Sequence, residues 1–174
     1  EYMDAVARLK TNKGLFVGFV IAEAGYMLTN KNMIGEANEV FVKVKGQKTI
    51  KGKVIRRGAK TGVVLIQLSS NKKFKPLELA ETIPLNGDTI YSVMPGKSWK
   101  YQEGIYKNEV AVFGNFYHTA QLEPGKSTDG TPVLNQKGQV IGILDSDVAG
   151  NSRQKAVFII PIKDALEDLN LKLE

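Results

Sequence analysis

Ser127 follows directly on Lys126, which places a hydroxyl and an amine side by side in one loop. A serine hydroxyl becomes a nucleophile only when a neighbouring base takes its proton and a third group orients that base. A desolvated lysine can act as the base. Adjacent residues on a loop seldom point at one another, however, and nothing in the surrounding sequence buries Lys126. The single histidine, His118, lies in Phe116-Tyr117-His118-Thr119 and reads as a half-exposed surface residue on a strand. The chain has no cysteine, so it has no thiol nucleophile and no disulfide, and its redox compartment stays open. Gly138 and Gly142 read as hairpin and close-packing glycines. Neither a GxGxxG string nor a phosphate-binding loop occurs, and no cofactor is expected.

These residues need a scaffold, and the spacing of apolar residues predicts one made of strands. Short apolar runs alternate with turn residues over 4–9, 15–21, 25–29, 40–44, 48–56 and 63–68. A second set covers 89–94, 104–113, 116–122, 133–134, 140–144 and 156–160. Val40, Val42 and Val44 alternate with Phe41, Lys43 and Lys45, which is the signature of a half-buried strand. Val63 to Leu68 is continuously apolar apart from Gln67, as a buried strand would be. After Pro161, the residues Ile162, Ala165, Leu166 and Leu169 recur at helical spacing, with Lys163 and Asp164 in the first turn. One helix, over about 163–169, therefore closes an otherwise all-β chain. The linker-like stretch is 69–75.

Three segments carry a resemblance. The first is Phe16-Val17-Gly18-Phe19-Val20-Ile21 leading into Gly25-Tyr26-Met27-Leu28-Thr29-Asn30-Lys31-Asn32. The second is Lys60-Thr61-Gly62-Val63-Val64-Leu65. The third is Pro124-Gly125-Lys126-Ser127-Thr128-Asp129-Gly130-Thr131-Pro132-Val133-Leu134-Asn135, followed by Gly138-Gln139-Val140-Ile141-Gly142-Ile143. In order and spacing they resemble the bacterial trypsin-like (HtrA/Deg-type) serine proteases, as does the closing Phe158-Ile159-Ile160-Pro161-Ile162. The resemblance covers nearly the whole chain. It implies one domain over 1–174: a double β-barrel, the first over about 4–70, the second over 76–161, and a C-terminal helix over 162–171.

It also implies where a catalytic triad would stand. The histidine position reads Asn32, whose neutral amide accepts no proton near neutral pH, and the aspartate position reads Gly62. The nucleophile position has two registers. Matching Pro124-Gly125 from the left retains Ser127; matching Gly130-Thr131-Pro132 from the right places Asp129 there. The loop is longer than the family's by two residues, so both registers cannot hold. The right-hand register is favoured, because the strand after Pro132 is buried and its phase is hard to shift. Thr128 under the left-hand register, or Thr131 under the right-hand one, replaces a glycine of the set that forms the oxyanion hole, and a β-branched residue resists positive φ, so a deformed hole is expected. The resemblance therefore points to a pseudoprotease, a domain that is not an enzyme and binds protein or peptide. The alternatives are a serine endopeptidase using displaced residues, or a weak cation site at Asp129, Asp145 and Asp147 around the former specificity pocket. Asp145, Asp147, Trp99 and Tyr101 are the candidate peptide-binding residues, with no metal site assigned.

Composition limits the partners. The chain has 174 residues and a net charge of +6, with lysines spread rather than blocked. Lysines 43, 45, 48, 51 and 53 on alternating strands read as a solvated face, and no nucleic-acid signature accompanies them. No apolar run approaches the roughly 20 residues of a membrane-spanning helix. The chain begins at Glu1 rather than Met and is read as a domain excised from a longer protein. A periplasmic or cell-envelope location is implied by the resemblance alone.

Overall fold

Along Glu39–Val44 (β4), Val40, Val42 and Val44 are buried and Phe41 and Lys43 face outward, as a period of two dictates. The same logic runs through the chain. The computed structural model describes residues 5–11, 14–44, 47–94, 100–122, 129–145 and 156–172. The other strands of the first half are β1 (Val6–Thr11), β2 (Gly14–Val20), β3 (Tyr26–Asn30), β5 (Ile50–Arg57) and β6 (Val63–Leu68). All pair antiparallel, in the order β1-β2-β3-β6-β5-β4, and β1 pairs with β4 to close the barrel. A four-residue helix, α1 (Lys31–Ile34), follows β3.

The second half repeats the plan. Its strands are β7 (Thr89–Met94), β8 (Lys100–Val112), β9 (Asn115–Gln121), β10 (Pro132–Leu134), β11 (Val140–Asp145) and β12 (Ala156–Pro161). They close in the order β10-β11-β12-β9-β8-β7. The fold is thus two closed six-stranded antiparallel barrels followed by the helix α2 (Ile162–Asp168).

The two barrels share one apolar layer. Val93, Leu134, Val140, Ile143 and Ile160 of the second barrel, with Ile162, Ala165 and Leu169 at the C-terminus, join the cluster that fills the first. A separate cluster, including Ile90, Tyr106, Val133, Ile141 and Ile159, fills the second barrel's interior. The segment between the barrels is no loose tether. Phe74 N–H donates to Glu23 O, Leu77 N–H to Val20 O and Ala80 N–H to Val140 O, so the stretch is pinned to both barrels. Phe74 and Leu77 are buried beneath it.

α2 fastens to the first barrel from the far end of the chain. The Arg56 guanidinium donates to the carbonyls of Leu169 (2.8 Å) and Asn170 (3.1 Å). Asp168 accepts from Thr61 N–H and Thr61 O–H, both at 2.7 Å, and from Lys60 N–H at 3.1 Å. Among the described residues, no helix is long and apolar enough to cross a membrane.

Candidate functional site

Asn30 ends β3 and caps α1: its side-chain oxygen accepts from Asn32 N–H at 3.1 Å. Its amide nitrogen reaches across the barrels and donates to Leu144 O, also at 3.1 Å. Asn30 is buried, and these bonds fix α1 against the end of β11. Sequence reading passed over this residue. It stood inside the quoted Thr29-Asn30 string, but the string could not say that its partner lies in the other barrel.

Asn32, so positioned, divides its two amide N–H bonds between two carboxylates. It donates to Asp129 Oδ2 at 2.9 Å and to Asp145 Oδ1 at 3.2 Å. Ionised carboxylates only accept, which fixes the orientation of the amide. Asp129 is buried, whereas Asn32 and Asp145 are half-buried. One neutral amide thus bridges two acidic side chains, one from the turn before β10 and one from the end of β11. The Asp145 charge is felt at Tyr117, whose phenol is pushed up first by burial and then by that carboxylate, with an Asn115 hydrogen bond acting the other way.

Gly62 sits at the foot of α1, where its carbonyl accepts from Lys31 N–H at 2.8 Å. Its φ of +72° lies in the region that favours glycine. A Cβ there would meet the Lys31 side-chain carbons at 3.1–3.3 Å, so the lysine stem covers this position.

The Asp129-Gly130-Thr131 segment runs beside β11. Gly130 N–H donates to Leu144 O at 3.2 Å, and Leu144 N–H donates to Thr131 O at 3.0 Å. Gly130 has φ +84°, and an added Cβ would lie 2.3 Å from Val17 O and 2.4 Å from Thr29 Oγ1. The turn is therefore wedged against the first barrel where Thr29 donates to Val17 O. Among the described non-glycine residues only Phe113 and Asn170 have positive φ, so Thr131 keeps to the backbone conformations open to a β-branched residue. Gly130 adopts the left-handed conformation instead.

The remaining candidates are scattered. Tyr101 lies on β8 opposite Val93 and is exposed. Ser127, Lys126, Thr128, Asp147 and Trp99 lie outside the described residues. Among those described, no group of three His, Cys, Asp or Glu side chains gathers as metal ligands.

His118 departs from its expected surface role. It is 3% exposed, and its Nδ1 lies 2.8 Å from the Tyr106 hydroxyl and 3.7 Å from Glu109 Oε1. Burial lowers its pKa, with the Glu109 charge opposing, while burial and the same charge push Tyr106 up to about 12. The reason is the register shift in β8 between Tyr106 and Glu109, which brings both onto His118 of β9.

Chemically, the Asp129 and Asp145 carboxylates accept hydrogen bonds, here from the Asn32 amide. Asn32 and Gly62 supply neither a proton acceptor nor a carboxylate at the two positions where the family resemblance would put them.

Residues 16–143 match the family described as the trypsin-like peptidase domain. Among curated proteins, the chain is 26% identical to a probable periplasmic serine endoprotease DegP-like of Pseudomonas putida, over 94% of this chain and 36% of that protein. It is 27% identical to the protein of the same description in Chlamydia muridarum, over 83% of this chain and 31% of the relative. The chain thus spans about a third of the length of these relatives. Among solved structures, the inactive form of the Rv3671c protease aligns with a TM-score of 0.82 at 16% identity, over 98% of this chain and 91% of the other. The Ser343Ala mutant of Rv3671c from M. tuberculosis, also in its inactive form, gives the same TM-score over 97% and 86%. At that identity the likeness is one of fold. The expectation of a domain that is not an enzyme is corrected by these findings: the relatives are named serine endoproteases and the matching folds are proteases.

Proposed function

The chain belongs to the trypsin-like peptidase domain family, and from that premise we propose that its inter-barrel cleft recognises polypeptide, favouring segments with basic or polar side chains. The observation that carries this reading is the Asn32 amide bridging Asp129 and Asp145. The Asp129 and Asp145 carboxylates meet at that amide, a lysine or arginine side chain would complement them, and charge complementarity sets specificity. An extended segment would lie along the end of β11, where Asp145 stands, with backbone hydrogen bonds giving affinity and side-chain contacts giving selection.

In this reading Asn32, Gly62 and Asp129 position and bind. Bond cleavage would need another nucleophile and base, and the sequence offers Ser127 with Lys126. The place of action we infer is the cell envelope, from the word periplasmic in the relatives' descriptions.

The test is fluorescence anisotropy with labelled peptides differing only in lysine, serine or glutamate content, with the same samples followed by mass spectrometry for cleavage. A fluorophosphonate probe reports whether Ser127 is reactive. Lysine-bearing peptides should bind tightest, and Asp145→Lys should weaken them by about tenfold, the equivalent of 1.4 kcal/mol. Equal binding of all three peptides, or no effect of Asp145→Lys, would overturn the reading.

A further inference from the structure

A second surface, on the outside of the second barrel, has features that the cleft does not explain. The β8–β9 hairpin turns through Phe113 (φ 50°) and Gly114 (φ 82°). Phe113 is 95% exposed and Phe116, two residues after Gly114, is 61% exposed. A large aromatic residue in the left-handed region is a backbone outlier, and burial of its ring does not offset the strain. Two-residue hairpin turns that need positive φ at both positions favour asparagine, aspartate or glycine there.

Behind this tip lie two cavities that share Phe116 and Asp164 in their walls. The smaller, of about 440 Å³, lies between the hairpin, the β5–β6 turn at Lys60 and Thr61, and the α2 carboxylates Glu167 and Asp168. The larger, of about 720 Å³, continues along α2 beneath the 79–84 segment and is bordered by Ile83, Glu81 and Glu109. Ile83 is 60% exposed, so aromatic and aliphatic surface rims the groove at both ends. Lys60 and Lys163 are the cations in its walls, against the carboxylates of Glu81, Glu109, Asp164, Glu167 and Asp168. On a chain of net charge +6 this is a locally acidic face.

We infer that this face is a docking surface for a polypeptide segment presenting lysine or arginine next to a large apolar side chain. The apolar group would lie against Phe113, Phe116 or Ile83, and the cation among the α2 carboxylates. The crowding of negative charge is visible at Asp164, whose carboxyl is raised by burial and then by Glu167 and Glu109, with Lys163 opposing. A bound cation would relieve that crowding, so affinity should fall as salt rises. The surface is distinct from the cleft. It would allow a partner to be held while the Asn32–Asp145 centre is occupied, and two such contacts on one partner add avidity.

The experiment uses a synthetic peptide of alternating lysine and leucine, carrying fluorescein and a benzophenone. Controls replace lysine by glutamate or leucine by serine. Crosslinks mapped by mass spectrometry should fall on 113–117 and 162–168. Phe116→Ala, and separately the double variant Asp164→Asn with Glu167→Gln, should each weaken binding by about tenfold; all three side chains are at least partly exposed, so the fold should tolerate the changes. Crosslinks confined to 129–145 would overturn this inference and leave the cleft reading standing. Equal affinity for the glutamate peptide would overturn it too. So would concentration-dependent dimerisation that Phe116→Ala abolishes, because the occupant would then be a second copy of the chain.

Discussion

Replacing Asp168 by alanine removes the acceptor that joins the C-terminal helix to the β5–β6 turn. Three donors lose their partner: Thr61 N–H and O–H, each at 2.7 Å, and Lys60 N–H at 3.1 Å. Hydrogen bonds to a charged group contribute about 1.5–3 kcal/mol each, but here the turn is partly exposed and water replaces part of the loss, so the net cost is about 2–3 kcal/mol. In a domain of this size that lowers Tm by roughly 5–10 °C. The carboxyl's folded pKa is the balance of burial, which raises it, against the Thr61 and Lys60 hydrogen bonds and the Lys60 charge, which together lower it by more; the net shift is downward from 3.8. A group whose folded pKa is depressed stabilises fully above its unfolded value and loses that contribution as pH falls through the folded value. The difference between the native chain and Asp168→Ala should therefore be constant above about pH 5 and shrink below about pH 4. Asp168→Asn, which keeps an acceptor oxygen but not the charge, should cost about 1 kcal/mol. Urea unfolding followed by tryptophan fluorescence across pH 7 to 3 reads all of this. A loss under about 0.5 kcal/mol at pH 7, or a difference as large at pH 3 as at pH 7, would refute the claim that a charged latch closes the fold.

Gly130→Ala should destabilise by at least about 2 kcal/mol, since the new Cβ meets Val17 O and Thr29 Oγ1 at 2.3–2.4 Å and the φ is left-handed; a thermal melt checks it. His118 is buried with a lowered pKa, so the unfolded chain takes up a proton near pH 6.5 that the folded chain resists. Stability should therefore fall as pH drops from 7 to 5, and His118→Gln should flatten that slope in parallel urea titrations.

The strands were legible where chemistry is periodic. The alternation in 40–44 and the run 63–68, apolar but for Gln67, marked two strands to within a residue of the observed β4 and β6. Legibility failed where pairing, not composition, decides. β8 begins at Lys100 because Lys100 to Glu103 pair with β7, although Lys-Tyr-Gln-Glu has no apolar alternation to announce a strand. α1 is a single turn, too short to show any period, and depends on the Asn30 cap. At the candidate site the residue types were readable one by one. The bond from Asn30 to Leu144 spans 114 positions, and the one from Asn32 to Asp145 spans 113, so no local pattern could reveal either. His118 was misread for the same reason: its burial is set by a bulge in the preceding strand.

The shared apolar layer has a consequence for recombination. Val93, Leu134, Val140, Ile143 and Ile160 belong as much to the first barrel's interior cluster as its own Leu28 and Ile66 do. A chimera cut anywhere in 69–88, where the chain passes between barrels, would keep each barrel's hydrogen-bond ladder intact and still be mismatched. Interiors are packed to crystal density, so a donor barrel brings side chains of the wrong shape to the seam. The unit that can be exchanged between relatives is therefore a barrel together with its half of the seam. Pairs of changes across that seam, rather than single ones, are the steps by which such domains can diverge.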